Sequence, residues 1–323
     1  MNKEAAAGTA ERLVIGVDTG GTLTRGALVD TSGRIVLRVE RPTDVTAGTK
    51  GILAVVEELV PQAPRDSIRA VGVGVAGFVD YNTGSVTFSP NLTYDDPQIG
   101  EAIRHRTGLP TVVENDANAA AWAERKFGSA RGTDHMAFLT LGTGIGSGFI
   151  EAGRLVRGLT GVGAEFGHTV VEIDGPQCPC GLRGCIEQLA SGTAIARMGR
   201  EALDRVPDSS ILAFAGSRDA VTGEHVGKAA REYDETAREI LRRAGRALGI
   251  GLSNVANLFD PEIIVLGGAV VRAGEPYLGP ARDELVRMTQ AQRRRPLRLD
   301  VSSLGQDAGL LGAAALASES VEA

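Results

Sequence analysis

The sequence predicts an α/β protein built from two similar lobes, because one local pattern occurs twice. An apolar run, Leu13–Val17, leads through the turn Asp18–Thr22 into a second strand-like run, Thr24–Val29. Later in the chain, Met136–Leu141 leads through a glycine-rich turn into Gly148–Glu151. Glycine-rich hairpins of this kind bring backbone N–H groups to an anion. The repeat therefore indicates a duplicated fold with one phosphate-binding turn in each lobe.

The remaining segments alternate between short apolar runs and amphipathic stretches, as in α/β domains. The further predicted strands are Ile35–Glu40, Ala70–Val75, Thr111–Val113, Ile263–Leu266 and Leu297–Val301. The predicted helices are Lys50–Val60, Ala119–Phe127, Glu187–Met198, a polar helical region over 200–227, Glu235–Phe259, and Gly309–Ser318 with Asp307 as its cap. Pro61 and Pro261 end two of these helices, because proline cannot continue a helix.

Composition narrows the functional class. The 323 residues are enough for two domains, and a hydrophobic content of 43% is ordinary for a globular protein. A net charge of −6 argues against nucleic-acid binding, and no apolar run reaches membrane-spanning length. Residues 1–12 lack the apolar core of a signal peptide and are predicted to be a disordered tail. Because the thiols described below must stay reduced to bind metal, we expect a cytoplasmic protein.

The first glycine-rich turn has the chemistry of a phosphate site. Gly20 and Gly21 offer backbone N–H groups, and Thr22 adds a hydroxyl donor. Asp18 places a carboxylate next to the anion, which is favourable when a hydrated divalent cation lies between them. No lysine follows the glycines, so this is not a Walker A loop. The alternative is an ordinary hairpin with an aspartate in its turn.

Polar groups also follow two other predicted strands. Asn115 and Asp116 stand between a predicted strand and a predicted helix, where α/β proteins gather their ligands. From this local pattern alone, Asp116 is better explained as a helix N-cap. Gly77 allows a ligand to approach the backbone, and Asn91 carries an amide suited to a hydroxyl-rich ligand. A plain turn residue explains Asn91 equally well.

A cluster of cysteines predicts a metal site. Cys178, Cys180 and Cys185 are the only cysteines of the chain, and His168 precedes them. One imidazole and three thiolates form a closed tetrahedral set that suits structural Zn²⁺. A disulfide framework fits poorly, because one thiol is left over and Cys178 and Cys180 are too close for an unstrained bridge.

Glu165 and Glu187 flank this cluster. A metal-bound imidazole keeps a proton on its second nitrogen, so His168 can bind metal on one side and a substrate oxygen on the other. Glu165 can accept a hydrogen bond from a neighbouring hydroxyl. Spacing alone supports this interpretation and the alternative, two surface glutamates, equally.

Several segments together resemble the ROK (repressor, open reading frame, kinase) family. They are GVDTGGT, ENDAN, LGTGIGSG, EFGH and CPCGLRGC, and the resemblance runs from about Leu13 to the C-terminus. Within the family, the chain is similar to the zinc-containing bacterial glucokinases, for example in the segment EQLASG from Glu187. The resemblance implies a two-lobed actin-like ATPase (ribonuclease H-like) fold with an interlobe active site. It implies a small domain of residues 1–121 and 307–323 and a large domain of residues 122–306.

The resemblance also implies a role for each motif residue. Asp116 is implied as the catalytic base of an ATP-dependent hexose kinase that phosphorylates the glucose 6-hydroxyl. The implied sugar-binding residues are Gly77, Asn91, Asn115, Asp116, Glu165, His168 and Glu187. Implied at the nucleotide are Gly20, Gly21, Thr22, Thr143 and Gly144 for the phosphates and Gly267 and Gly268 for the adenosine, with Asp18 near Mg²⁺. Structural Zn²⁺ is implied at His168, Cys178, Cys180 and Cys185, and a homodimer or homotetramer is expected.

Four residues depart from the family pattern, which usually has Ile or Leu, Lys, Pro and Gly at the positions of Thr19, Leu23, Ala76 and Ala164. These departures leave sugar preference and rate open. The rival interpretations are a kinase for N-acetylmannosamine, N-acetylglucosamine, fructose or mannose, with polyphosphate as an alternative donor. A sugar-responsive transcriptional regulator needs a helix-turn-helix before Leu13, where residues 1–12 leave little room for one.

Overall fold

The computed structural model describes residues 12–289 and 295–322. The predicted disordered tail lies outside the described residues, except for Arg12. Arg293 and Arg294, the first members of an arginine run that the sequence predicts to be a solvated surface, also lie outside them. The last member of that run, Arg295, donates from Nη2 to Oδ1 of Asp260 over 2.6 Å.

Within the described residues, the strands form two five-stranded sheets and one hairpin. The strands are β1 (Leu13–Thr19), β2 (Leu23–Asp30), β3 (Ile35–Pro42), β4 (Ile68–Val75), β5 (Phe78–Asp80), β6 (Ser85–Phe88), β7 (Thr111–Asn115), β8 (Met136–Leu141), β9 (Ile145–Glu151), β10 (Arg154–Leu155), β11 (Ile263–Gly267) and β12 (Arg298–Val301).

The same part of the chain contains α-helices and several 3₁₀ helices. The α-helices are α1 (Gly48–Leu59), α2 (Ile99–Thr107), α3 (Asp116–Lys126), α4 (Glu187–Ala190), α5 (Gly192–Leu203), α6 (Ser210–Ala215), α7 (Gly223–Arg231), α8 (Glu235–Phe259), α9 (Glu275–Met288) and α10 (Ala308–Ser320). The 3₁₀ helices are Val60–Gln62, Arg65–Ser67, Phe166–His168, Ala269–Ala273 and Gly305–Asp307.

The chain divides into two compact units. The first comprises the residues up to Phe127, Leu159–Gly161 and the residues from Asp307. The second comprises Gly128–Gly158 and Val162–Gln306. Each unit contains one of the five-stranded sheets.

The two sheets have the same design. Their strand orders are β3-β2-β1-β4-β7 and β10-β9-β8-β11-β12. In each, the central strand, β1 or β8, pairs antiparallel with the strand that follows it in the chain and parallel with a later strand. This repetition confirms the predicted duplicated α/β fold.

In the first unit, α10 lies directly on the sheet because glycines face it. A Cβ on Gly16 of β1 would lie 2.5 Å from the Leu310 carbonyl oxygen, and one on Gly72 of β4 would lie 1.8 Å from that of Ala313. On α10 itself, Gly312 approaches α3 so closely that a Cβ would lie 1.6 Å from the Ala119 carbonyl oxygen. The helix therefore has no room for larger residues at these contacts.

In the second unit, the long helix α8 organises the core. Gly245 of α8 packs against the backbone of Tyr277 in α9, and the Tyr277 hydroxyl donates to the Ala190 carbonyl over 2.8 Å. A Cβ on Gly251 of α8 would lie 2.3 Å from Ile186 Cδ1 and 2.7 Å from the Phe166 ring. Helix α8 thus supports the two segments that carry Glu165 and Glu187.

Several predicted elements have the observed bounds, and others differ for physical reasons. Met136–Leu141 and Glu235–Phe259 occur as predicted. The single helix predicted over Glu187–Met198 is interrupted at Ser191, which is extended and accepts the Ala194 N–H as the N-cap of α5. Asp307 precedes α10 but makes no capping bond, because its carboxylate pairs with Arg38 over 2.7 Å.

Some elements were not predicted at all. The predicted polar helical region 200–227 contains the end of α5, all of α6 and the start of α7, whereas α2, α9 and the hairpin of β5 and β6 were not predicted. Helix α9 carries Pro280 in its interior, a residue that argues against helix in sequence-based reasoning. In residues 12–289 and 295–322, no helix is both long and apolar enough to cross a membrane.

Replacing Gly312 by Ala tests the close packing of α10. The new Cβ overlaps the α3 backbone, so we expect the free energy of unfolding to fall by about 1–3 kcal/mol. Gly51→Ala is the matched control, because Gly51 also lies inside a helix but a Cβ there meets no atom within 4 Å. The control should gain about 0.5–1 kcal/mol from helix propensity. Chemical denaturation measures both, and equal stabilities of the two variants would contradict the packing argument.

Candidate active site

The first glycine-rich turn joins β1 to β2 in the first unit. The Gly20 N–H donates to the Leu23 carbonyl over 3.1 Å, and the Thr43 hydroxyl donates to the Gly20 carbonyl over 2.8 Å. A Cβ on Gly21 would meet nothing closer than the Asn91 Cβ at 3.9 Å, and Gly21 does not have positive φ. The fold therefore does not require glycine at position 21, whereas a ligand that approaches the backbone does.

The Asp18 carboxylate lies at the end of β1, beside the first turn of α10. Its Oδ2 is 3.7 Å from Nη1 of Arg25, and a Cβ on Gly309 would lie 2.9 Å from its Oδ1. The pKa of Asp18 is raised to about 6, because burial and the charge of Asp307 raise it by more than the charge of Arg25 lowers it. A bound divalent cation would offset this cost of ionising the Asp18 carboxylate. The surroundings of Asp18 are therefore compatible with a cation site.

Asn115, and not Asp116, is the N-cap of α3. Its Oδ1 accepts the N–H groups of Ala117 and Asn118, each over 3.0 Å. Asp116 is the first helical residue, and its half-buried carboxylate accepts the Ala117 N–H over 2.8 Å. The N-cap interpretation of Asp116 from the local pattern is therefore wrong. The capped strand-to-helix junction fixes the backbone from which the Asp116 side chain extends.

Gly77 and Asn91 have different surroundings. The Asn115 amide nitrogen donates to the Gly77 carbonyl over 3.2 Å, which leaves one amide hydrogen for a ligand. A Cβ on Gly77 would lie 2.5 Å from the Phe88 carbonyl oxygen, so packing alone already demands glycine there. Asn91 is exposed next to Gly21, at the first glycine-rich turn.

Two residues near Asp116 escaped the sequence analysis. Buried Glu114 accepts hydrogen bonds from the Asn115 N–H and the Asn118 side-chain amide, both over 3.0 Å. It thereby stabilises the junction between β7 and α3. Burial raises the pKa of Tyr94, and the negative charge of Asp116 raises it further. The Tyr94 phenol therefore stays protonated close to that carboxylate. Glu114 begins the ENDAN segment but the pattern assigns it no role, and Tyr94 belongs to no motif, so only the fold shows their contribution.

The second glycine-rich turn, Gly142–Gly144, lies between β8 and β9 in the second unit. The Gly142 N–H donates to the Gly144 carbonyl over 2.9 Å. The first residues of α5 donate to the turn in their own right, Gly192 to the Gly142 carbonyl over 2.8 Å and Thr193 to the Thr143 carbonyl over 3.3 Å. The turn is thereby held against the N-terminus of α5, whose first N–H groups bond to the turn and to the Ser191 cap.

A cavity of about 570 Å³ opens beside this turn. It has the size of a small-molecule site. Its lining residues come from the turn, from α5, from α7 and its N-cap, and from the 3₁₀ helix after β11; they include Gly142, Thr143, Gly192, Thr193, Arg200, Thr222, Gly223, Glu224, Arg231, Val270 and Arg272. No sequence motif predicts that α5 and α7 line this cavity, although a glycine begins each helix. Gly192 and Gly223 touch, so larger residues would separate the two helix ends.

Gly267 and Gly268 end β11 next to this cavity without lining it. Gly268 has a φ of 85°, and a Cβ there would lie 2.4 Å from the Leu141 carbonyl oxygen. Both facts require glycine for the fold. The cavity wall is formed instead by the residues that follow, Ala269, Val270 and Ala273.

The segment from Ala164 to His168 is attached to β9. The Phe166 N–H donates to the Ser147 hydroxyl over 3.2 Å, and that hydroxyl donates to the Ala164 carbonyl. Partial burial raises the pKa of Glu165, the charge of His168 lowers it, and Glu187 raises it. Glu165, His168 and Glu187 therefore lie near one another, as the sequence analysis expected.

Glu187 begins α4, two residues after Cys185. Its Oε2 accepts the Ile145 N–H over 2.9 Å, immediately after the second glycine-rich turn. A Cβ on Gly144 would lie 2.3 Å from this oxygen, so the carboxylate rests on the glycine. The interpretation of Glu187 as a simple surface glutamate is wrong, because it is half-buried and bonded to the backbone.

The predicted metal ligands converge. One ligand atom from each of His168, Cys178, Cys180 and Cys185 lies within 4.8 Å of every other. His168 Nδ1 is 3.7 Å from Cys178 Sγ, and the sulfurs of Cys180 and Cys185 are 3.6 Å apart. Tetrahedral zinc bond lengths require separations of about 3.6–3.8 Å. The donor set thus fits a tetrahedral Zn²⁺ bound through Nδ1, which leaves His168 Nε2 to donate to a ligand.

Two departures from the family pattern have physical consequences. Ala164, in the position where glycine is usual, has a φ of 67°, which costs an L-residue about 1–2 kcal/mol. Thr19, in the position where Ile or Leu is common, is fully buried, and its hydroxyl has no hydrogen-bond partner among the described residues. Both positions therefore favour the family's usual residue.

The duplicated sheets with a glycine-rich turn in each unit define an α/β protein of the actin-like ATPase class. Residues 14–320 match the ROK family, and the chain belongs to that family. The glucokinase of Thermotoga maritima is 39% identical over 310 residues, which are 95% of this chain and 98% of that protein.

A crystal structure of a ROK family glucokinase from Streptomyces griseus, in complex with glucose and AMPPNP, superimposes with a TM-score of 0.83 at 40% identity. It covers 95% of this chain and 99% of that one. Regulators are also related, since the xylose repressor of Bacillus subtilis is 30% identical over 92% of this chain and 75% of its own length.

Replacing Asp18 by Asn tests the burial of this carboxylate. Its pKa is raised from 3.8 to about 6, so its contribution to stability is complete below the lower value and is lost as the pH rises through the higher one. Between pH 4.5 and 7.5 we expect wild-type protein to lose about 1–2 kcal/mol of unfolding free energy that the variant keeps.

Asp30→Asn is the control for this measurement. Burial works against ionisation of Asp30, but hydrogen bonds from Ser32 and Arg34 lower its pKa to about 2. The carboxyl of Asp30 is then largely ionised in both states over the same pH range, so the gap to wild type should stay constant. Chemical denaturation at both pH values gives the differences. A constant gap for the Asp18 variant as well would contradict the account of its pKa.

Proposed function

We propose that the chain is an ATP-dependent glucokinase that transfers the γ-phosphate of ATP to the 6-hydroxyl of glucose. The observation that carries the proposal is the position of Asp116, which begins α3 directly after the Asn115 cap. Support also comes from the 39% identity to the glucokinase of Thermotoga maritima. A sugar hydroxyl is a weak nucleophile at neutral pH, so the reaction needs a fixed carboxylate to take its proton.

Asp116 is the general base in this proposal. Its backbone is fixed by the cap of Asn115 and by Glu114, so the carboxylate needs little reorganisation when the substrate binds. The sugar hydroxyls are held by Asn115, Glu165, His168 and Glu187, with Gly77 and Asn91 nearby. Hydrogen bonds from several directions orient the ring and select one hydroxyl for attack.

The glycine-rich turns of the two units bind the phosphates. Gly21 and Thr22 donate from the first turn, where Gly20, whose N–H is bonded to Leu23, allows the phosphate to approach closely. Thr143 and Gly144 donate from the second. The cavity beside Gly142 takes the adenosine, below the strand end at Gly267 and Gly268. Mg²⁺ near Asp18, when bound, supplies positive charge for the transferring phosphoryl group.

His168, Cys178, Cys180 and Cys185 hold a structural Zn²⁺ in this proposal. The sulfur and nitrogen separations support a closed tetrahedral site without an open position for substrate. Such a cross-link fixes the tautomer of His168, so that its second nitrogen donates to the sugar.

A coupled ADP-release assay across hexoses and acetylated hexosamines tests the proposed activity. We expect the highest kcat/KM with glucose. A higher value with fructose, mannose, N-acetylglucosamine or N-acetylmannosamine would instead identify that sugar as the substrate. The relation to the xylose repressor favours a sugar-binding regulator as the second candidate. If the protein binds a sugar but neither releases ADP from ATP nor consumes polyphosphate, the result would support the regulator and rule out the kinase.

Asp116→Asn tests the catalytic base. The amide keeps the size of the side chain but cannot take a proton, so kcat should fall by at least about 100-fold. Glucose affinity should change by less than about threefold, because the amide of the replacement side chain still accepts and donates hydrogen bonds. Steady-state kinetics and calorimetric glucose titration measure the two effects. Retention of more than about a tenth of kcat would count against Asp116 as the base.

Cys180→Ser tests the metal site. Because the variant lacks one of the four proposed ligands, we expect zinc content to fall, the melting temperature to drop and glucose affinity to weaken together. Arg183→Ser, at an exposed position of the same loop, is the control and should keep its zinc. Elemental analysis, thermal melting and calorimetry give the three readouts. A variant with no zinc but unchanged glucose affinity would separate the metal from the sugar site.

A further inference from the structure

Glu187 contacts the second phosphate-binding turn directly. Its Oε2 accepts the Ile145 N–H over 2.9 Å and lies against Gly144, whose missing side chain makes the approach possible. A carboxylate has two oxygens and about four acceptor sites, so this bond leaves Oε1 for another donor.

The chain that follows Glu187 stays on the same turn. Gly192 and Thr193 donate to the carbonyl groups of Gly142 and Thr143, over 2.8 Å and 3.3 Å. Three hydrogen bonds therefore join the segment from Glu187 to Thr193 to the turn. Of these three hydrogen bonds, only that of Glu187 is made by a side chain. A side chain changes position more easily than the backbone when a ligand binds.

The segment that carries Glu165 and His168 packs on the same backbone. A Cβ on Gly167 would lie 2.2 Å from the Ile145 carbonyl oxygen, so the two chains touch there. The peptide groups of Ile145 thus meet the Glu187 carboxylate at the N–H and the segment Glu165–His168 at the carbonyl. The negative charge of Glu187 also raises the pKa of Glu165, as expected for neighbouring carboxylates.

We propose that Glu187 is a positioning residue that couples sugar binding to nucleotide binding, with one carboxylate oxygen on the phosphate-binding turn and the other on a sugar hydroxyl. The inference rests on the proposed function and deepens it. A sugar hydroxyl on Oε1 holds the side chain in the conformation that also accepts the Ile145 N–H. The turn is then ordered for phosphate before the nucleotide arrives. Because coupling is reciprocal, the nucleotide must tighten sugar binding by the same factor.

Gly144→Ala separates this coupling from sugar binding itself. The new Cβ would lie 2.3 Å from Oε2 and displaces a flexible carboxylate, without strain in the backbone, since Gly144 does not have positive φ. The carboxylate stays in the protein and keeps its charge. Gly51→Ala is the control, because a Cβ there also meets no atom within 4 Å and Gly51 lies in α1, outside the proposed sugar and nucleotide sites.

The experiment titrates glucose calorimetrically into each protein with Mg²⁺, in the absence and presence of saturating AMPPNP. We expect AMPPNP to lower the glucose Kd of wild type and of Gly51→Ala by about tenfold, and that of Gly144→Ala by less than about threefold. Hydrogen exchange gives a second readout that does not depend on turnover. The Ile145 amide should exchange at least about tenfold faster in Gly144→Ala than in the control.

Three outcomes would overturn the inference. Glucose and AMPPNP binding independently to a wild-type enzyme that phosphorylates glucose would remove the coupling and leave the proposed function standing. Full coupling in Gly144→Ala would assign the effect to some other part of the molecule. Absence of glucose binding and of sugar phosphorylation in wild type would remove the proposed function, and the coupling with it.

Discussion

The backbone at the start of β9 is the point on which the functional loops of the second unit depend. The Ile145 N–H bonds to Glu187, its carbonyl packs against Gly167, and the Ser147 hydroxyl joins Phe166 to Ala164. A peptide group buried without its partner is costly, so movement of one loop is opposed by the others. Since Cys185 lies two residues before Glu187, the cluster of His168 and the cysteines, the segment Glu165–His168 and the second glycine-rich turn are joined through adjacent stretches of chain.

The first unit reaches comparable order by a different route. There a helix cap sets the position of the acidic group: Asn115 satisfies the N–H groups of α3, and Glu114 satisfies Asn115. The carboxylate of Asp18 is placed by close packing of α10 at Gly309. Both acids are therefore held in place by hydrogen bonds and close contacts: Asp116 accepts the Ala117 N–H, and Asp18 pairs with Arg25.

The sequence was sufficient where one local signal dominates. Periodicity predicted the bounds of α8, because an amphipathic face extends over its whole length, and the clustering of cysteines predicted that their thiols converge with His168. It was insufficient where long-range contacts decide. The cap at Asn115 competes with an equally good candidate one residue later, and the glycine at position 77 serves packing against Phe88. The cavity wall from α5 and α7 has no motif, since only the fold brings two helix ends together.

The order of elements along the chain has a consequence for biosynthesis. Helix α10 covers the glycines of β1 and β4, yet it follows the whole second unit in the sequence. On the ribosome, the first sheet is therefore made early and waits for its covering helix, while the second unit emerges complete before it. During that interval the apolar surface of the first sheet is exposed, and it becomes a natural target for chaperones and a point of risk for aggregation during rapid overexpression.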